Sequence, residues 1–271
     1  HDRQVFVAHR NGKSERLTDR EGVNNAIFST DYQYFINIWS DYNTPYVFTL
    51  CNNKGKTLET LVDNRQLRNK LASYDLGKRE TFSFTTSESV KLDGWMVKPV
   101  DFDAAKKYPV ILYQYSGPGS QQVMNAWNSG SMGGGGSFEH YLAQQGFIVV
   151  CVDGRGTGGR GAEFEKCTYL KLGALESRDQ VETALYIASQ PYIDKSRIGL
   201  WGFGGFNSLM SISEGRGVFK AGVAVAPPTD WRYYDSIYTE RYMRTPKENP
   251  DGYGDNPITR AGKMNAALLI C

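Results

Sequence analysis

Residues 197–210, "RIGLWGFGGFNSLM", carry the clearest chemical suggestion in the chain. They read as a short buried strand, a glycine turn and an amphipathic helix. Acyl-transfer enzymes seat a nucleophilic serine at such a joint, in the pattern G-x-S-x-G. The glycines let the backbone crowd the turn, and the hydroxyl is thrust above the sheet. Gly202, Phe203, Gly204 and Gly205 supply the strand end and the turn, yet no serine lies between Gly202 and Gly205. By topology this is an elbow position; an ordinary strand–glycine–helix connection is the competing reading.

The remaining chemistry-bearing residues do not complete a catalytic set. The three histidines are His1, His9 and His140, and none follows the elbow, whereas hydrolases built on a parallel sheet order their triad Ser, Asp or Glu, then His. All three histidines read as structural or surface residues, so the complete triad is expected to be missing from these 271 residues. Cys51, Cys151, Cys167 and Cys271 form no C-x-x-C pair, which leaves zinc and dithiol chemistry without support. Cys151 reads as a buried small hydrophobe. Gly154, Gly156 and Gly159 spell G-x-G-x-x-G after a strand, but a dinucleotide site needs a helix N-terminus directly behind the glycines. The next convincing helix starts near Gly173, so a glycine-rich loop is the expected structure. "SGSMGGGGS" (129–137) reads as a flexible loop or linker.

The elements that must position these residues fall into two patterns. Residues 1–75 read as all-β: "NAIFST", "YFINIWS" and "YVFTL" are short runs of Ile, Phe, Val, Tyr and Trp separated by turn chemistry. "NRQLRNKLASY" (64–74) reads as a helical connector. From 76 onward, "ETFSFTT" and "LDGWMVKP" look like an antiparallel pair, and then strands and helices alternate. Continuous apolar strands are expected at 109–115, 147–153, 197–203 and 219–227. Helices are expected at 137–146, at 173–191 with Leu175, Val181, Leu185 and Ile187 as its apolar residues, and after the elbow. Apolar strands alternating with helices predict an α/β fold, a mostly parallel sheet covered on both faces with ligands at the carboxyl ends of its strands. A net charge of +2, from 31 basic and 29 acidic residues, makes no electrostatic case for nucleic acid or anionic membrane. No apolar run approaches the roughly 20 residues of a membrane span, and no leader is visible. The first residue is not Met and the last run, "AALLIC", is apolar, so further chain is expected at both ends.

Taken together, "KYPVILYQYSGPGSQ", "VDGRGTGGRG", "RIGLWG", "VFKAGVAVAPPTDWRYYDSIYTERYM" and "ALLIC" resemble the prolyl oligopeptidase superfamily, serine peptidase family S9, and within it the dipeptidyl peptidase IV branch. The resemblance covers nearly the whole chain. It implies that residues 1–75 are the last strands of a β-propeller with a connector, and that 76–271 are the first part of an α/β-hydrolase domain. The family's elbow is Gly-Trp-Ser-aromatic-Gly-Gly. This chain is two residues shorter there, with the gap either between Gly202 and Phe203 or between Phe203 and Gly204; both registers remove the serine. An interrupted sequence is the expected reason. The resemblance implies that Tyr115 and the backbone N–H of Phe203 are oxyanion donors, and that Trp231, Tyr234 and Tyr238 form a small pocket for proline. Tyr234 and Tyr238, four apart, are expected to share a helical face. It further implies an exopeptidase releasing X-Pro or X-Ala dipeptides, with no metal or organic cofactor. Homodimerisation and an exported, periplasmic or membrane-anchored setting are also implied. An inactive homologue that binds peptides or partners, and another acyl hydrolase or esterase on the same fold, are the alternatives.

Overall fold

A computed structural model describes residues 2–127, 129–130, 136–214 and 216–271. His1 and most of the glycine-rich run at 129–137 lie outside the described residues. The chain divides into two compact units: residues up to Arg79 together with the segment Met124–Phe138, and residues Glu80–Val123 with Glu139–Cys271. The return of 124–138 to the first unit is a feature that a single boundary near residue 75 does not anticipate.

In the first unit, β1 (Phe6–Ala8) and β2 (Ser14–Arg16) form a short antiparallel ribbon. Strands β3 (Val23–Phe28), β4 (Tyr34–Asp41), β5 (Thr44–Asn52) and β6 (Thr57–Val62) form an antiparallel meander in chain order. The period-2 alternation expected of such strands places Phe35, Trp39, Val47 and Cys51 inward, where Phe35 and Cys51 pack with Leu17. The Arg20 guanidinium lies 3.0 Å from the centre of the Trp39 ring, and Tyr46 Oη donates to the carbonyl of Trp127 at 3.0 Å. The expected connector is α1 (Arg65–Leu71).

The second unit is a seven-stranded mixed sheet in the order β13-β12-β11-β9-β10-β8-β7. Its strands are β7 (Arg79–Thr85), β8 (Lys91–Val97), β9 (Tyr108–Tyr113), β10 (Ile148–Asp153), β11 (Ile193–Phe203), β12 (Ala221–Val225) and β13 (Ala267–Ile270). The five strands from β13 to β10 are parallel, and β8 joins β10 antiparallel with Trp95 opposite Cys151. The near-continuous apolar runs read from the sequence are this parallel block, and all six residues of β10 are buried, as its flanked position requires. Val110, Leu112, Ile148, Val150, Ile198 and Leu200 form the centre of the core.

Helices α2 (Ser137–Gln144), α3 (Ala162–Lys166), α4 (Ala174–Ala188), α5 (Phe206–Ser213), α6 (Ser236–Met243) and α7 (Pro250–Gly254) follow in chain order. The buried face of α4 corrects the expectation from its apolar residues. Leu185 is 40% exposed, and Glu176, Ser177, Asp179, Gln180 and Thr183 are buried with Val181 and Ile187. The polar residues go inward because they have partners. Asp179 accepts from Arg155, Gln180 Nε2 donates to the Val152 carbonyl at 3.1 Å, and Thr183 Oγ1 donates to the Asp179 carbonyl at 2.8 Å. Helix α5 is buried along all eight residues. Among the described residues, no helix is long and apolar enough to cross a membrane.

Candidate active site

The glycine joint closes without a serine. Strand β11 runs unbroken through Gly202 and Phe203, opposite Ala224 and Val225 of β12. Gly204, at φ +68°, makes the turn, and the Gly205 N–H donates to the Val225 carbonyl at 3.1 Å before α5 begins at Phe206. A side chain at Gly205 would lie 2.8 Å from Ala224 Cα, so only glycine lets the turn lie this close to β12. Phe203 is therefore the last strand residue and is 41% exposed. Beneath the joint lies a polar knot. Gln114 Nε2 donates to Ser208 Oγ at 2.9 Å, and Asn207 Nδ2 donates to Gln114 Oε1 at 3.0 Å and to Ser116 Oγ at 2.9 Å.

Above the joint is a cavity of about 340 Å³. All five residues singled out from the sequence line it: Tyr115, Phe203, Trp231, Tyr234 and Tyr238. Tyr115 sits on the loop that follows β9, at the carboxyl edge of the parallel strands, and its ring would be 3.8 Å from a Cβ placed on Gly204. Trp231 forms the floor. Its ring centre is 4.4 Å from that of Phe206, 5.7 Å from that of Tyr234 and 5.9 Å from that of Tyr238. The Tyr234 and Tyr238 rings meet edge to face at 5.7 Å and 87°, an arrangement that brings ring edges onto ring faces.

The route to that arrangement differs from the expected shared helical face. Asp230 accepts from the Arg232 N–H and opens a single 3-10 turn, Trp231–Tyr233. Tyr234 is then extended, and Asp235 caps α6 by accepting from the Tyr238 N–H at 2.9 Å. Only Tyr238 of the pair is helical. The two aspartate caps break what sequence spacing suggested was one helix. The i,i+4 pair on α6 is instead Tyr238 and Tyr242, with ring centres 4.9 Å apart.

Sequence reasoning missed Tyr242, Phe206, Arg241 and Glu176, which also line the cavity. Tyr242 had a signal in its spacing from Tyr238. Glu176 had one in its position three residues after Gly173. The carboxyl accepts the Gly173 N–H at 2.9 Å, closing the helix start. Glu176 is 2% exposed, and burial pushes its carboxyl up to about 8, so it is protonated at neutral pH. Burial, and then proximity to Glu176, also raise Tyr238, which keeps its phenol a neutral donor. Its hydroxyl faces the Pro118 carbonyl at 3.5 Å. The cavity is thus an aromatic cup with a neutral carboxyl at its side, and Arg241 and Tyr115 are also among its lining residues.

Neither His9, which is exposed 3.7 Å from Glu15, nor His140, on α2, lines the cavity. The glycine run at 154–159 is followed by the five-residue α3 and is bridged to α4 by Arg155, so no long helix faces a pyrophosphate there. Among the described residues, no group of three His, Cys, Asp or Glu side chains is placed to hold a metal ion. Cys51 and Cys151 are buried, and Cys167 and Cys271 are exposed.

Residues 137–271 match the model of the prolyl oligopeptidase family. The chain is 44% identical over 218 residues to a protein named "Probable dipeptidyl-aminopeptidase B" from Paracoccidioides lutzii, covering 78% of this chain and 23% of that one. It is 38% identical over 284 residues to the protein of the same name from Sclerotinia sclerotiorum, covering 99% and 29%. The crystal structure of Porphyromonas gingivalis dipeptidyl peptidase 4 superposes with a TM-score of 0.93 at 47% identity, covering 99% of this chain and 38% of that one. The chain therefore spans about a quarter of the length of these fungal relatives and 38% of the solved structure.

Proposed function

From the premise that this chain belongs to the prolyl oligopeptidase family, we propose that its protein is a serine exopeptidase releasing X-Pro and X-Ala dipeptides from peptide N-termini. The observation that carries this reading is the aromatic cup of Trp231, Tyr234 and Tyr238 set directly beside the strand–glycine–helix joint, with Tyr115 over the turn. The pyrrolidine ring of proline enters the cup, and alanine enters as a smaller occupant. A serine hydroxyl attacks the carbonyl that follows, a histidine takes its proton and returns it to the leaving amine, and an aspartate orients the histidine. Tyr115 Oη and a main-chain N–H at the joint donate to the oxyanion; one such donor contributes roughly 3 kcal/mol in a site closed to water. Among the 271 residues no serine stands between Gly202 and Gly205 and no histidine follows them, so the triad of this reading is not completed within this sequence. The four-stranded meander of the first unit is read as a β-propeller blade, and the mixed sheet as the start of an α/β-hydrolase domain.

A second reading is favoured by one observation. The short joint is closed by main-chain bonds, Gly205 N–H to Val225 O and Leu209 N–H to Gly205 O, which suits a homologue that holds X-Pro peptides and does not cleave them. An esterase on the same fold is the third possibility. Intact mass, fluorophosphonate labelling and release of nitroanilide from Gly-Pro-nitroanilide, with the N-terminus free or acetylated, separate the three. Labelling with cleavage of the free form supports the exopeptidase. Binding of Ile-Pro-Ile without labelling supports the second reading. Cleavage of the acetylated form alone refutes both.

A further inference from the structure

The glycine run at 153–161 has a role other than phosphate binding, and it leads to the loop 114–123 that carries Tyr115. Asp153 ends β10 and is 5% exposed. Its Oδ2 accepts the N–H of Gln122 at 2.9 Å and of Val123 at 2.8 Å, and its Oδ1 accepts the Gln122 N–H at 3.0 Å. The Gln122 carbonyl accepts from Trp95 Nε1 at 3.2 Å, so both sides of that peptide are held. Two residues earlier, the Gly158 N–H donates to the Ser120 carbonyl at 2.9 Å, and Ser120 Oγ donates to the carbonyls of Tyr115 at 3.0 Å and Gly117 at 2.9 Å. Gly159 lies where the two loops touch, against the Gln121 side chain, and its φ of +86° is a conformation that favours glycine. The glycine loop is itself tied to α4, since Asp179 accepts from the main chain and guanidinium of Arg155.

We propose that Asp153 is a positioning residue: its buried carboxylate clamps the main chain of Gln122 and Val123 and so fixes the loop that presents Tyr115 to the cavity. Resting on the reading of Tyr115 as an oxyanion donor, this extends that reading to the group that aims it. Charge-assisted bonds from N–H to carboxylate are about twice as strong as neutral ones, and a loop rich in Gly, Ser and Pro has little apolar packing of its own to hold its shape. The charged groups around Asp153 are few. Asp93 lies directly opposite on β8, and Arg160, on the glycine loop, reaches Asp93 at 4.0 Å. Asp179 on α4 is engaged by Arg155, and neither the loop 114–123 nor β9 carries a charged side chain. Burial, opposed by the two N–H donors, moves the Asp153 carboxyl up to about 6. The clamp is therefore charged at neutral pH and loses its charge as pH falls through that value.

Hydrogen–deuterium exchange of the full chain, corrected for intrinsic rates, tests the clamp. Protection of peptides within 115–123 should fall about tenfold between pH 7 and pH 5, with peptides from β9 and β10 unchanged. Asp153→Asn should lower protection of the same segment about tenfold at pH 7 and abolish its pH dependence, and the variant should bind Ile-Pro-Ile more weakly. Equal protection in the two proteins, or parallel pH profiles, overturns the proposal. Should Asp153→Asn not fold, a pH-independent profile in the natural chain overturns it alone. Absence of Ile-Pro-Ile binding by the natural chain counts against the peptidase reading and leaves the exchange result to decide the clamp.

Discussion

Glu176→Gln should stabilise the protein, increasingly so as pH rises. In the unfolded chain this carboxyl titrates at its ordinary 4.5; in the folded chain burial beside the aromatic cup moves it to about 8. Below 4.5 both states hold the proton and the group has no effect. Between the two values the folded state holds a proton that the unfolded state has released, so stability falls with each step up in pH until about 8. At about 1.36 kcal/mol per pH unit, the ceiling on the loss is roughly 5 kcal/mol. Glu176 borders an open cavity, and solvent relaxation there reduces the effect to an expected gain of about 2 kcal/mol for Glu176→Gln at pH 8. The glutamine keeps a carbonyl oxygen for the Gly173 N–H, so the helix start is retained. Urea unfolding of both proteins at pH 4.5, 6.5 and 8 gives the difference directly, and every other titrating group cancels in it. Curves that stay parallel across this range would show that the carboxyl ionises normally and that the cup is wetter than its lining indicates.

Asp179→Ala should cost about 3 kcal/mol in urea unfolding, because it leaves Arg155 without its buried partner. Glu88→Ala, which removes the more exposed partner of the same arginine, should cost less than about 1 kcal/mol. Trp231→Ala removes the floor of the cup and should destabilise by about 3 kcal/mol, with loss of Ile-Pro-Ile binding in tryptophan-independent calorimetry. Gly205→Ala forces a methyl against Ala224 and should lower stability by about 2 kcal/mol; Gly262→Ala, which meets no atom within 4 Å, should stay within about 0.5 kcal/mol.

The parallel block was legible because its central strands are largely buried, β10 along its whole length. β9, β10, the second half of β11 and β12 are continuous runs dominated by apolar residues and glycine, whereas residues 194–196 in the first half of β11 are polar and do not read as strand. The inward face of α4 was not legible, since Glu176, Asp179 and Gln180 look like solvent residues until their partners from Gly173, Arg155 and Val152 are known. The cup came from resemblance to a family and not from spacing. Its aromatics reach one point from a loop, a 3-10 turn and a helix, and no sequence period encodes that convergence. The break at Tyr234 had a local signal in Asp230 and Asp235, each an N-cap, that a simple four-residue count overlooked. Asp153 was seen only as part of a glycine motif, because its partners are main-chain groups 30 and 31 residues away in the chain.

The burial of α5 along its whole length sets how this joint can vary. A helix with one free face can slide or rotate to absorb an insertion at its start; α5 has no such face. Gly205 is pressed against β12 and Gly202 against Gln114, so the strand end is equally fixed. Extra residues between them have one direction left, outward into the space that Tyr115 and Tyr238 border. Length added here would be delivered to the ligand rather than to the scaffold, which makes this turn a place where sequence can change reactivity while the surrounding architecture stays as it is.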